Sequence, residues 1–95
     1  MDILEELQNS RVKKGPLSRG ELRWACRRGM LELDILMGDF FDRHYDELNE
    51  HDQQLFQQLL RFPDQDLHAF FLGNEEPQQR ELIRVIDIVR AAASA

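Results

Sequence analysis

The longest regular pattern in this chain is helical. Leu33, Leu36, Met37, Phe40, Phe41 and Leu48 recur at the spacing of one helix face. Gly38 falls inside the run and marks a place for a kink or a split. Shorter apolar stripes lie on either side, and no segment alternates with the period of a strand. Ser18-Arg19-Gly20-Glu21 is a capping box, which predicts a helix from there to about Arg28. Leu22, Ala25 and Cys26 form its buried face. Gly29 then supplies the positive φ that ends a helix without steric cost.

Three further helices are predicted downstream. Asn49 caps the first, with Asp52 in its opening turn and Leu55, Phe56, Leu59 and Leu60 as its core stripe. Phe62-Pro63-Asp64 ends it. Asp64 is then expected to cap a short helix carrying Leu67, Phe70 and Phe71, stopped by Gly73-Asn74. Pro77 fits the first turn of the last helix, whose apolar face is Leu82, Val85, Ile86 and Val89. The expected fold is all-α, a compact single-domain bundle of about five short helices over residues 18–90. Residues 1–17, with Ile3, Leu4 and Leu7 on one side and Gly15-Pro16 near the end, read as a mobile or loosely docked extension. Residues 91–95 read as a fraying tail.

Composition narrows the function. The chain has 95 residues, enough for one modest core, and 42% are hydrophobic. The net charge of -6 argues against general nucleic-acid binding, which needs a basic footprint. The charge is uneven. Residues 1–30 hold seven Lys/Arg against four Asp/Glu, and the remainder holds five against fourteen. Arg19, Arg23, Arg27 and Arg28 crowd one stretch, either as a solvated helix face or as a docking patch. The single cysteine, Cys26, forbids an internal disulfide and suits a reducing compartment. No signal peptide, transit peptide or membrane span is read from the sequence, so a cytoplasmic location and no membrane insertion are expected.

A search for catalytic chemistry finds little. There is no phosphate-binding loop, no dinucleotide glycine fingerprint and no CxxC pair. His44, His51 and His68 lack metal-ligand spacing with one another. Cys26 lies on an apolar stripe and reads as a packing thiol. No catalytic residue, metal ligand or bound cofactor is assigned. One segment is unusual: Trp24-Ala25-Cys26-Arg27-Arg28-Gly29-Met30-Leu31-Glu32-Leu33-Asp34. A tight turn there sits between two arginines and two acids. Gly29 has no side chain, so a partner's backbone can approach it closely. Arg28 and Glu32 place opposite charges at the rim, and a local ion pair between them is the plainer alternative.

Arg28-Gly29-Met30-Leu31-Glu32-Leu33-Asp34 resembles the RGxxExD signature of the succinate dehydrogenase assembly factor 2 family, the bacterial FAD assembly factors or flavinators. Trp24 to Arg27 extends the likeness. Phe40-Phe41, His44-Tyr45-Asp46, Leu48, Phe56, Leu59-Leu60 and Asp64-x-Asp66-Leu67 follow in the family's order. The resemblance spans roughly residues 18 to 90. The stretch before Ser18 is longer than in a typical bacterial member.

The resemblance implies a five-helix domain that binds the flavoprotein subunit of succinate dehydrogenase, and in some bacteria that of fumarate reductase. It implies help in attaching FAD covalently to a histidine of that subunit. On this view FAD belongs to the client and none is held by this chain, which is not an enzyme. The implied client-binding residues are Arg28, Gly29 and Glu32, with Arg27 and Asp34 beside them. A monomer is expected, since no long heptad seam appears. The reading set against this one is a helical regulatory or antitoxin-like module with a different client.

Overall fold

A computed structural model describes residues 17–94. The extension expected at residues 1–17 lies outside the described residues except for Leu17, as does Ala95. Among these residues five α-helices follow one another: α1 (Arg19–Ala25), α2 (Leu31–His44), α3 (Glu50–Leu59), α4 (Asp64–Leu72) and α5 (Arg80–Ser94). A single 3-10 turn, Tyr45–Glu47, joins α2 to α3. No strand occurs among the described residues. None of their helices is long and apolar enough to cross a membrane.

Local chemistry sets most boundaries. Ser18 Oγ accepts from Glu21 N–H while the Glu21 carboxylate accepts from Ser18 N–H, so both halves of the capping box form. Asn49 Oδ1 accepts from Asp52 N–H at 2.8 Å and opens α3. α1 ends at Ala25, three residues before the expected Arg28, because Cys26 and Arg27 close a last turn onto Arg23 and Trp24 carbonyls. Two expectations about caps fail. The N-cap of α4 is Pro63, and Asp64 is its first helical residue with its carboxylate turned elsewhere. Pro77 is buried but sits three residues before α5, which starts at Arg80.

Gly38 does not break α2, which runs unbroken through it. It is buried against the Arg23 guanidinium, whose atoms would lie 3.2 to 3.3 Å from any added Cβ. The missing side chain lets Arg23 cross α2 and reach Asp42 Oδ1 at 2.9 Å. Leu48, expected on the α2 stripe, lies beyond the helix and is only half-buried.

The core is built from one face of each helix. Leu33, Met37 and Phe41 of α2 meet Leu55, Phe56 and Leu59 of α3, and Leu67 of α4 joins them. α5 packs against α2, α3 and α4, contributing Leu82, Val85, Ile86 and Val89. Tyr45 stacks on Phe41 at 4.7 Å and leans on Phe56 at 5.5 Å. Its hydroxyl accepts from Gln57 Nε2 at 2.9 Å, which satisfies the polar end of a buried ring. Asp52 is the buried charge among the described residues. Arg84 of α5 donates to it from both terminal nitrogens, at 3.0 and 2.5 Å, so the start of α3 is tied to α5.

Cys26 is fully buried, as its stripe position predicts. Burial pushes its thiol up from 9.0 to about 11, with Arg23 and Arg28 pulling slightly downward and Asp42 upward. The folded state therefore holds this proton more tightly than the unfolded chain does. The stabilising effect is complete below pH 9 and is lost as pH rises towards 11. Cys26→Ala should lower stability at pH 7 by on the order of 1 kcal/mol through lost packing. In urea titrations the gap between the two proteins should then shrink between pH 9 and pH 11. A gap that stays constant would show that the thiol is not buried in its protonated form.

Candidate functional site

The unusual segment folds as the turn between α1 and α2. Gly29 has φ +84, the left-handed conformation expected of it. A Cβ added there would meet nothing within 4 Å, so the open side of the turn faces solvent. The turn is held from behind by Asp34. One carboxylate oxygen accepts from Arg28 N–H at 2.5 Å and Gly29 N–H at 3.2 Å. Asp34 neither caps α2, whose N-cap is Met30, nor extends the outer surface. It pins the backbone of the turn to the first turn of the helix that follows.

Arg28 turns inward, and the side chain is only 15% exposed. Its Nε donates to Asp64 Oδ1 at 2.7 Å. Nη1 donates to the carbonyls of Leu60 at 2.9 Å and Ala25 at 3.1 Å, and Nη2 to that of Phe62 at 2.6 Å. The Ala25 and Leu60 carbonyls lie at the ends of α1 and α3, where intrahelical partners are lacking and the negative end of the helix dipole falls, and the Phe62 carbonyl lies in the link to α4. The acid that pairs with Arg28 is thus Asp64 and not Glu32. No local Arg28–Glu32 ion pair forms, and Arg28 does not stand at the outer rim where the sequence places it; Arg27 and Glu32 do.

Those neighbours are exposed. Glu32 lies on the first turn of α2, and Arg27 lies at the end of α1 with its guanidinium 5.8 Å from the Trp24 ring centroid. Among the described residues neither Glu32 nor Arg27 has an ion-pair partner. Trp24 is a surface residue and Tyr45 a core one. The arrangement is a rigid backbone turn presenting a bare glycine between one free anion and one cation. Asp64 is the functional-region residue that sequence reasoning assigned to a different task. Its partner is 36 residues away in the chain.

No group of three or more His, Cys, Asp or Glu among the described residues is placed to hold a metal ion. His44 faces Glu47 at 2.9 Å and His51 faces Glu81 at 3.4 Å, both at the surface.

These contacts rank the signature residues by stability. Arg28→Ala strands an acid and three carbonyls, and should lower the unfolding free energy by on the order of 2–3 kcal/mol. Asp34→Ala releases two turn N–H groups that water can reach, and should cost about 1 kcal/mol. Glu32→Ala should stay within about 0.5 kcal/mol of wild type. Urea unfolding checks the order, and an equal loss at Arg28 and Glu32 would contradict it.

Comparison with known proteins places the chain. Residues 20–93 match a family model described as the flavinator of succinate dehydrogenase, a stretch that contains the whole Arg27 to Asp34 turn. An FAD assembly factor from Idiomarina loihiensis is 49% identical over 65 residues, covering 68% of this chain and 72% of that protein. One from Shewanella oneidensis is 47% identical over 73 residues, covering 77% and 89%. A third, from Coxiella burnetii, is 38% identical over 79 residues, covering 83% and 96%. With an all-helical domain that carries the signature turn on its surface, the chain belongs to the succinate dehydrogenase flavinator family of FAD assembly factors.

Proposed function

We propose that this chain acts in the cytoplasm as a monomer that binds the flavoprotein subunit of succinate dehydrogenase and promotes covalent attachment of FAD to a histidine of that subunit. The same face serves the flavoprotein subunit of fumarate reductase. The chain performs no covalent chemistry and holds no FAD of its own. Arg27, Gly29 and Glu32 make the contact, and Arg28 and Asp34 keep the turn in the shape that contact needs.

The observation that carries this reading is the exposed left-handed Gly29, with open space above it and its N–H pinned from behind. A pre-shaped backbone lowers the ordering cost of association. Cys26 supports the non-catalytic part, since a buried thiol pushed up to about 11 is a poor nucleophile at neutral pH. A binder accelerates its client's self-modification only by preferring one client conformation over another. A preference of about 3 kcal/mol changes the ratio of two conformations about a hundredfold.

The client subunit is expressed in cells lacking their own assembly factor, with and without this chain, and covalent flavin fluorescence is read on a denaturing gel. Wild type should raise the signal. Gly29→Arg should reduce it about tenfold or more, although its side chain projects into solvent and the positive φ costs only about 1–2 kcal/mol. Gly29→Asn adds a side chain but tolerates the left-handed conformation. It should therefore keep the fold and still lose most of the signal. Undiminished fluorescence with Gly29→Arg would remove the turn from the contact surface.

A further inference from the structure

Single exposed apolar side chains need no explanation, whereas clustered ones do. Among the described residues five large apolar side chains are exposed, and three of them fall around the Gly29 turn: Trp24 at 68%, Leu31 at 71% and Ile35 at 53%. Ile35 also stands on the rim of an open groove of about 350 Å³ between α2 and the last turns of α5. Leu36, Phe40 and Val89 supply its apolar wall, and the small side chains of Ala92 and Ala93 keep it open on the α5 side. Glu32 belongs both to the groove and to the turn face, so the two surfaces are continuous.

The groove has a charge pattern. Glu32 and Asp39 stand on its rim two helical turns apart, about 10.5 Å along the axis. Among the described residues neither has an ion-pair partner, and Arg43 at the far end has none either. Two free acids against one free arginine leave the groove acidic on balance, which disfavours a diphosphate and so a dinucleotide as occupant. They suit Lys or Arg side chains flanking an apolar anchor.

We propose that the α2–α5 groove receives a basic amphipathic segment of the same client flavoprotein subunit, extending the contact made at Gly29. Its apolar anchor packs against Ile35, Leu36 and Phe40, and its cations lie over Glu32 and Asp39. This rests on the function proposed above. The exposed apolar side chains around the turn lie on a convex surface residue by residue, and the neighbouring groove supplies the recess for a buried anchor on which interface affinity depends. An exposed acidic rim adds mainly to the rate of association and its sensitivity to salt.

The test measures binding of the purified apo-flavoprotein subunit to the full chain by calorimetry, with circular dichroism as a check on folding. Ala93→Trp fills the groove and Asp39→Lys reverses its rim, and neither residue is in the core. Each should weaken binding about tenfold, and the loss with Asp39→Lys should shrink at high salt. If Ala93→Trp fails to fold, Ile35→Ser takes its place and should give a similar loss. Groove variants that bind like wild type, while Gly29→Arg is weakened, would overturn the groove and leave the proposed function standing. Absence of binding by wild type would overturn both. A wild-type dimer in sedimentation that Ala93→Trp abolishes would assign the groove to a second copy of this chain and overturn the proposal.

Discussion

A guanidinium taken out of water needs an acceptor for each N–H it buries. Arg28 finds four within 3.1 Å: an acid on α4, the end of α1, and two carbonyls where α3 gives way to α4. Its planar fork answers the unpaired carbonyls of two helix ends at once, which a lysine ammonium cannot span. The junction of three helices is therefore organised around one side chain. Placement of the α1–α2 turn on the surface follows from it, since the Arg28 backbone carries the turn while its side chain anchors the layer beneath.

The family signature thus combines two kinds of residue. Arg28 and Asp34 face inward and hold the turn's shape. Gly29 and Glu32 face outward, as does Arg27 just before the signature. A motif of this type looks like one continuous surface in one dimension because inward-facing and outward-facing residues are interleaved along it. Stability measurements separate them, since removing the first kind should cost more than removing Glu32.

What could be read from the sequence follows the range of the interactions. The Ser18–Glu21 box and the Asn49 cap are three-residue events whose chemistry is local, and both form as expected. The left-handed Gly29 was legible because a bare glycine after an apolar stripe has few other uses. Asp64 was misassigned as a cap because its real partner, Arg28, is 36 residues distant. Asp52 and Arg84 are separated by 32 residues, and nothing in their spacing announced a pair. The expected kink at Gly38 gave way to a different use of the same freedom, room for the Arg23 side chain to cross. The fixed φ of Pro77 suits a first helical turn, but α5 begins three residues later, at Arg80.

α5 touches three of the other four helices and supplies one wall of the core. Among the described helices it also stands last in the chain order. Until translation has passed Ser94, Leu33, Leu55 and Leu67 have no α5 to cover them, and Asp52 has no Arg84. At about 5–20 residues per second the ribosome takes roughly one to three seconds to add this helix. The four earlier helices form an open array during that interval, and each is too short to persist well alone. The described core therefore closes only once α5 is available to cover the four helices that precede it among the described residues.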